Sequence, residues 1–254
     1  MKEAVTFIGN GNMALSIAKG LKSVFEIEVV GRSQDSLDKF EKDLGVFVKK
    51  ALLDEFDISG KTIILCVKPA NIQEVGLKLQ GKCDELYSVL AGTTLEMLKH
   101  NIKSYHTVRA MPNLCASIGQ SLTTLTGDVE LQEKSLKLFE SIGKTIWLSS
   151  EKELDIATAV AGSGPAYLAL IHEAFCDGAV KQGMKRTDAV KVTDGLFRGF
   201  GELIDTTHSA QLKDAVMSPG GTTAAGYAAL EKNGVRYGCI EAVEKAFEVT
   251  QKNK

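Results

Sequence analysis

The chain has 254 residues, of which 44% are hydrophobic and 24% charged, and its formal net charge is −2. This length accommodates two domains with a core each, and the composition is that of an ordinary globular protein. A net charge so close to zero gives no argument for binding nucleic acid or an acidic membrane surface. No apolar run approaches the ~20 residues that span a bilayer, and the N-terminus reads as a strand rather than a signal peptide. We therefore expect a cytoplasmic protein with no membrane or nucleic-acid partner.

The cysteines and histidines give no metal-ligand spacing. The five cysteines are odd in number, scattered and without a C-x-x-C pair. Free thiols in a reducing compartment fit this pattern better than disulfides or zinc. No metal site is predicted.

The first 150 residues alternate short β-like runs with amphipathic stretches. The predicted strands are Ala4–Ile8, Glu26–Val30, Thr62–Val67, Tyr87–Leu90, Thr107–Met111, Ser121–Thr126 and Lys144–Leu148. The helices predicted between them are Asn12–Ser23, Ser36–Leu44, Asn71–Leu79, Leu95–Asn101 and Glu130–Ile142. Thr93, with Glu96 three residues later, predicts a capping box for the fourth helix. The alternation indicates βαβ units, so residues 1–150 are predicted to form an α/β domain with a doubly wound, mostly parallel sheet.

A glycine motif follows the first strand and opens the first helix. Its sequence is Gly9-Asn10-Gly11-Asn12-Met13-Ala14, the dinucleotide-binding fingerprint with alanine at the third small position. The first glycine permits a tight turn, and the second lets the backbone approach a pyrophosphate at the helix N-terminus. The residues predicted to bind the cofactor here are Gly9, Asn10, Gly11, Asn12 and Met13.

The end of the second strand indicates which nucleotide binds. About 20 residues beyond the glycines, where NAD sites place an acidic residue, the chain has Arg32 and Ser33. A guanidinium and a hydroxyl suit a 2′-phosphate. NADPH is therefore favoured over NADH. In the alternative interpretation Arg32 only stacks on the adenine.

Three further segments follow successive predicted strands. They are Val67-Lys68-Pro69, Ala91-Gly92-Thr93 and Met111-Pro112-Asn113. The carboxyl ends of parallel strands meet at one edge of the sheet, where cofactors bind in doubly wound folds. The additional cofactor-binding residues predicted from these segments are Val67, Lys68, Pro69, Ala91 and Asn113.

After Ser150 the strand pattern stops, and residues 151–254 are predicted to form a helical domain. The predicted helices are Pro165–Gln182, Thr187–Asp205, Ala210–Met217, Thr223–Lys232 and Tyr237–Gln251. The second of these is apolar over much of its circumference, which favours burial within a bundle or against another subunit. We therefore expect a homodimer or a larger homo-oligomer.

The turn Ser218-Pro219-Gly220-Gly221-Thr222-Thr223 precedes one of these helices. A helix start with two glycines exposes backbone N–H groups and a partial positive charge, which favour a small anion. We predict that the N–H groups of Gly221, Thr222 and Thr223 hold a substrate carboxylate and that a threonine hydroxyl binds the reacting ring. In the alternative, the threonines simply cap the helix. Hydride transfer to a cyclic iminium requires positioning rather than a strong acid, because that substrate carries its own proton.

The order of these motifs resembles that of the pyrroline-5-carboxylate reductases. The segments that carry the resemblance are Gly9–Ala14, Cys66–Pro69, Met111–Asn113, Gly162–Tyr167 and Ser218–Thr223, followed by Gly226 and Leu230-Glu231. The resemblance spans essentially the whole chain. It implies an N-terminal Rossmann domain, a C-terminal helical dimerisation domain, and reduction of the cyclic imino acid 1-pyrroline-5-carboxylate to L-proline by NAD(P)H, the last step of proline biosynthesis.

The resemblance also implies roles for the residues of the second glycine turn. By position, Thr223 matches the threonine whose hydroxyl contacts the pyrroline nitrogen. Gly220, Gly221 and Thr222 match the loop that binds the substrate carboxylate, with Ser218 at its entrance.

Two other functions share parts of this pattern. A 3-hydroxyacid or 6-phosphogluconate-like dehydrogenase also combines such a domain with helices, but it uses a helical lysine for proton transfer. The available lysines, Lys181, Lys185 and Lys191, lie among ordinary surface charges. A non-enzymatic NADP-binding redox sensor would bind nucleotide without turnover and leaves the second glycine turn unexplained.

Overall fold

The computed structural model describes residues 2–252, which divide into two compact units. The first runs from the N-terminal segment through Ser163 and includes the C-terminal segment from Ala246. The second is Gly164–Lys245.

A parallel-dominated sheet forms the centre of the first unit. Its strands are β1 (Ala4–Ile8), β2 (Glu26–Gly31), β3 (Lys49–Leu52), β4 (Phe56–Asp57), β5 (Thr62–Leu65), β6 (Leu79–Gln80), β7 (Cys83–Ser88), β8 (Ser104–Met111), β9 (Ser121–Gly127) and β10 (Gly143–Trp147). Within residues 2–252, eight strands form one sheet in the order β10-β9-β8-β7-β5-β1-β2-β3, and β4 pairs with β6. Only β8 and β9 of the large sheet pair antiparallel in this part of the chain. The strand order reverses between β1 and β5, and such switch points bind ligands in doubly wound folds.

Helices cover both faces of this sheet. They are α1 (Asn12–Leu21), α2 (Gln34–Leu44), α3 (Ile72–Leu77), α4 (Leu95–Asn101), α5 (Gln132–Phe139) and α6 (Glu151–Ala157). Phe7 of β1 is buried with α1, α2 and α5, whereas its neighbour Ile8 is buried with α3 and α4. Successive residues of a strand point to opposite faces, so β1 contributes to both cores.

The sequence predicted most of these elements but missed four and misplaced some ends. β3, β4, β6 and α6 were not predicted, and β5 ends at Leu65 rather than Val67. The predicted cap of α4 is also corrected. Thr94, not the buried Thr93, accepts a hydrogen bond from the N–H of Met97 at 3.1 Å.

A buried ion-pair network holds α6 to the sheet. Arg109 of β8 is 1% exposed, and its two terminal nitrogens lie 2.8 Å from a Glu151 oxygen and 2.9 Å from an Asp155 oxygen. Glu151 also accepts the N–H of Leu95 at 2.8 Å, and Asp155 accepts the side chain of Gln251 at 3.4 Å. The first compact unit therefore extends past residue 150, where the sequence pattern changes. The functional assignment of residues 1–150 and 151–254 stays a prediction.

The second unit is helical. Its helices are α7 (Gly164–Lys181), α8 (Arg186–Leu203), α9 (Ser209–Val216), α10 (Thr222–Lys232) and α11 (Val235–Lys252), whose residues from Ala246 belong to the first unit. The apolar face predicted for α8 is open in the single chain. Val192 and Leu196 are 60% and 56% exposed, and Phe200 and Leu203 are also exposed.

One helical stretch is, by length and composition, long and apolar enough to cross a membrane. It covers Glu151–Lys181 and joins α6 to α7 through the π-helical turn Thr158–Gly162. This corrects the expectation that no segment reaches that length, because the glycines at the turn made the stretch look interrupted. A helix of this composition is also suited to burial in a protein core or against another subunit.

We predict that Arg109→Met destabilises the protein by about 3–5 kcal/mol, because it removes the guanidinium that pairs with the buried carboxylate of Asp155. Urea denaturation measures the free energy of unfolding. Glu151→Gln is the control and should cost less, since Glu151 is partly exposed. The double variant Arg109→Met/Asp155→Leu should recover part of the loss. A loss below about 1 kcal/mol in Arg109→Met, a typical surface pair, would contradict this role.

Candidate nucleotide cleft and substrate turn

A cleft of about 710 Å³ opens at the carboxyl ends of β1, β2 and β5 in the first unit. Many of the residues predicted to bind the cofactor line it, namely Gly9, Asn10, Gly11, Asn12, Arg32, Ser33, Val67 and Lys68. The structure thus brings together three segments that are far apart in the sequence. Their meeting follows from the parallel pairing of β1 with both β2 and β5.

Gly9 is required by the geometry of the turn after β1. Its φ is +100°, and a Cβ at this position would lie 2.6 Å from the carbonyl oxygen of Cys66. A side chain is therefore excluded both by backbone strain and by contact with the neighbouring main chain. The N–H of Gly9 donates to the carbonyl of Val30 at 2.9 Å, which fixes the turn to the end of β2.

Gly11 leaves the start of α1 open. It is the N-cap residue, has no side-chain cap, and a Cβ there would meet nothing within 4 Å. The first intrahelical bond runs from the N–H of Leu15 to the carbonyl of Gly11 at 3.0 Å. The N–H groups before Leu15 therefore remain available for a ligand. Open space beside unsatisfied helix donors fits a pyrophosphate.

The rim of the cleft carries hydroxyl and cationic side chains at the start of α2. The hydroxyls of Ser33 and Ser36 lie 3.1 Å apart, and Ser36 donates to the carbonyl of Ser33 at 2.8 Å. Arg32 is exposed beside them. Ser36 and Lys39 also line the cleft but were missed by the sequence reasoning. No signal in the sequence indicated them, because their place in the cleft depends on which face of α2 turns towards the sheet.

Four of the predicted cofactor residues do not line this cleft. Met13 packs against the core, and Pro69 starts a 3₁₀ turn after Lys68. Ala91 is exposed. Asn113 is only 9% exposed, its amide oxygen accepts the N–H of Cys115 at 3.0 Å, and its amide nitrogen donates to Ala161 at 3.0 Å. A cofactor contact at Ala91 or Asn113 stays a prediction.

The cleft floor carries a thiol but no activated nucleophile. Cys66 lines the cleft, and burial raises the pKa of its thiol far above its ordinary value. The thiol is therefore neutral at physiological pH.

Within residues 2–252 no group of three or more His, Cys, Asp or Glu side chains is placed to hold a metal.

The predicted substrate turn lies in the second unit and is a β-turn. Pro219 and Gly220 are its central residues, Gly220 has φ of +68°, and the N–H of Gly221 donates to the carbonyl of Ser218 at 3.0 Å. Proline followed by a residue of positive φ is typical of a type II turn. The N–H of Gly221 is thus engaged, which corrects its predicted role as a free donor.

The donors that remain belong to the first turn of α10. Gly221 is the N-cap without a side-chain cap, and the first intrahelical bond runs from Ala225 to Gly221 at 3.2 Å. The N–H groups of Thr222, Thr223 and Ala224 precede that bond. Both threonines are exposed, and within the described part of the chain neither hydroxyl makes a hydrogen bond. The threonines therefore do not cap the helix in this structure.

Comparison with known proteins shows to which family the chain belongs. Residues 151–253 match the family model of pyrroline-5-carboxylate reductase dimerisation, and residues 4–87 match that of NADP oxidoreductase, coenzyme F420-dependent. The pyrroline-5-carboxylate reductase of Thermus thermophilus is 34% identical over 253 residues, which cover 95% of each chain. This chain belongs to the pyrroline-5-carboxylate reductase family.

Solved structures of pyrroline-5-carboxylate reductases share the fold. The enzyme from Streptococcus pyogenes is 32% identical, with a TM-score of 0.87 and 98% of each chain covered. That from Plasmodium falciparum, with NADP bound, is 27% identical, with a TM-score of 0.81 over 98% of this chain and 99% of that one. The predicted family and fold class are confirmed, and with them the prediction of an NADP-dependent oxidoreductase.

We predict that two glycine substitutions in the fingerprint of this reductase affect different quantities, one the affinity for NADPH and the other the stability of the fold. Gly11→Val places a branched side chain in open space beside the helix donors, so NADPH affinity should fall at least about tenfold, or ~1.4 kcal/mol, with little change in Tm. Gly9→Ala meets the main chain of Cys66, so the protein should lose about 1–3 kcal/mol of stability. Fluorescence titration with NADPH and thermal unfolding separate the two effects. Unchanged NADPH affinity in Gly11→Val would contradict the pyrophosphate site.

Proposed function

We propose that this protein reduces 1-pyrroline-5-carboxylate to L-proline with NADPH, and that NADH is a second donor. The observation that supports this substrate is the open start of α10, where main-chain donors are free to bind an anion, in a chain of this family. Bound reduced nicotinamide supplies a hydride to the carbon of the C=N bond. The imine nitrogen keeps its proton, so the product is a secondary amine and the nucleotide is released oxidised.

The residues of the second unit bind and orient the substrate. The N–H groups of Thr222, Thr223 and Ala224 hold the carboxylate, where the helix dipole adds a partial positive charge. The hydroxyl oxygen of Thr223 accepts a hydrogen bond from the N–H of the ring and so fixes its orientation. The turn at Gly220 and Gly221 sets the direction of these donors, and Ser218 stands at its entrance.

The residues of the first unit bind the nucleotide. Gly9, Asn10, Gly11, Asn12 and the main-chain N–H of Met13 hold the pyrophosphate, and Arg32 with Ser33 holds the 2′-phosphate. The strand ends at Val67–Pro69, Ala91 and Asn113 contribute the remaining cofactor contacts. We accordingly assign NADP binding to residues 1–150, and substrate binding and dimerisation to residues 151–254.

The assembly we propose is a cytoplasmic homodimer without membrane or nucleic-acid partners. The exposed apolar face of α8 supports it, because a surface of this kind on a soluble chain marks an interface. The match of residues 151–253 to a dimerisation family supports it as well. Five free cysteines fit a reducing compartment.

The first test is oxidation of NADPH and of NADH by the purified protein, each with and without 1-pyrroline-5-carboxylate. Oxidation that depends on the imine, followed by the loss of the absorbance of the reduced nucleotide, with stoichiometric proline as product, is the expected result. The ratio of the two rates gives the cofactor preference. Tight nucleotide binding without oxidation would reject the reductase in favour of a nucleotide-binding sensor.

We predict that Thr223→Ala lowers kcat about tenfold or more, since removing one hydrogen bond made in the transition state costs on the order of 10²-fold in other enzymes. The Kd for NADPH should change little, because Thr223 binds the substrate. Thr223→Ser retains the hydroxyl and should restore most of the rate. Equal losses of turnover and of NADPH affinity, or no rescue by serine, would contradict the assigned role.

A further inference from the structure

One face of α2 lines the nucleotide cleft beyond the residues that the sequence motif covers. Ser36, Lys39, Phe40 and Asp43 all lie on it. Spacings of three and four residues place side chains on one side of a helix. Ser36, Lys39 and Asp43 therefore extend the lining of the cleft along α2 with a hydroxyl, an ammonium and a carboxylate, in that order.

Lys39 is held by Asp43 in this structure. Its ammonium lies 2.5 Å from the Asp43 carboxylate, in an i, i+4 pair. The lysine side chain is 75% exposed, and surface pairs of this kind contribute only about 0.3–0.5 kcal/mol. A stronger partner can therefore displace Asp43 at little cost. A phosphate with two negative charges is such a partner, because charge-assisted hydrogen bonds to phosphate exceed surface pairs in strength.

The other lysines of this region are less suited to the same role. Lys50 is held between Asp38 and Glu41, at 2.8 and 2.7 Å. Lys42 is exposed and does not line the cleft. Of the lysines on α2, Lys39 is thus the one that lines the cleft. Asp43, four residues later, holds its ammonium.

We propose that Lys39 and Asp43 together set the preference of this reductase for NADPH over NADH. Lys39 leaves Asp43 and pairs with the 2′-phosphate beside Arg32, Ser33 and Ser36. Asp43 opposes NADPH, both by holding Lys39 and by its own charge, and so moderates the discrimination. The inference rests on the proposed nucleotide site, but not on the identity of the imine substrate.

The experiment compares kcat/KM for NADPH with kcat/KM for NADH in the full chain, with 1-pyrroline-5-carboxylate as substrate. Lys39→Gln should lower the NADPH-to-NADH ratio about fivefold, the upper range for an exposed charge pair. Asp43→Asn should raise the ratio about twofold. Lys42→Gln makes the same charge change on α2 away from the cleft and is the matched control. The double variant Lys39→Gln/Asp43→Asn should show a smaller effect of Asp43→Asn than the single variant does.

The outcomes separate this inference from the proposed function. Fluorescence titration with NADPH or NADH alone gives the same ratio from Kd values without any substrate. Variant Kd ratios that shift as expected support the inference even if the wild type oxidises no nucleotide, a result that would reject the reductase alone. A shift in Lys39→Gln no larger than in Lys42→Gln overturns the inference. Asp43→Asn is the second variant, and an unchanged or lowered ratio there overturns the role of Asp43.

Discussion

Both candidate sites depend on a helix that begins at a glycine without a side-chain cap. α1 begins after Gly11 and α10 after Gly221, and in each case the N-cap backbone is extended. An ordinary cap has a side-chain oxygen that accepts hydrogen bonds from these N–H groups and satisfies them. Glycine leaves them unsatisfied and leaves space for the ligand to approach. The fold therefore leaves two sets of main-chain donors without an intramolecular acceptor within residues 2–252, one suited to a pyrophosphate and the other to a carboxylate.

Buried charge secures the part of the chain that follows the sheet. Arg109 lies on β8, and its two carboxylate partners lie on α6. A guanidinium removed from water is tolerated only when it is paired and hydrogen-bonded, so the pairing fixes α6 in one place. The side chain of Asn113 acts nearby by joining the end of β8 to Ala161. These polar contacts thus attach residues 151–163 to the rest of the first compact unit, although their sequence already has a helical pattern.

The sequence predicted what strong local patterns encode. β1, with its apolar run and following glycines, was predicted to the residue, and α4 likewise. β3 was missed because its lysines are those of an edge strand, and edge strands lack the apolar alternation that reveals buried ones. α6 was missed although Ser150 and Glu153 give it a cap, with the Glu153 N–H 3.2 Å from the serine hydroxyl.

The candidate site was predicted where a motif is local and not where it depends on folding. Gly9 and Gly11 could be interpreted from the chain alone. The engagement of the Gly221 N–H in a turn could not, because a hydrogen bond to Ser218 is a property of backbone angles rather than of residue type. Whether Ser36 and Lys39 line the cleft depends on which face of α2 turns towards β1, and tertiary packing decides that.

The use of main-chain donors at the start of α10 has a consequence for the conditions under which the protein works. A backbone amide does not titrate in the physiological range, unlike a histidine or a lysine in a shifted environment. In the proposed site, the attraction of these donors for an ionised carboxylate is therefore the same in acidified and in alkaline surroundings. At these donors an acid–base dependence of imine binding then comes from ionisation of the substrate, so in the proposed site the substrate rather than the donor set acts as the pH sensor.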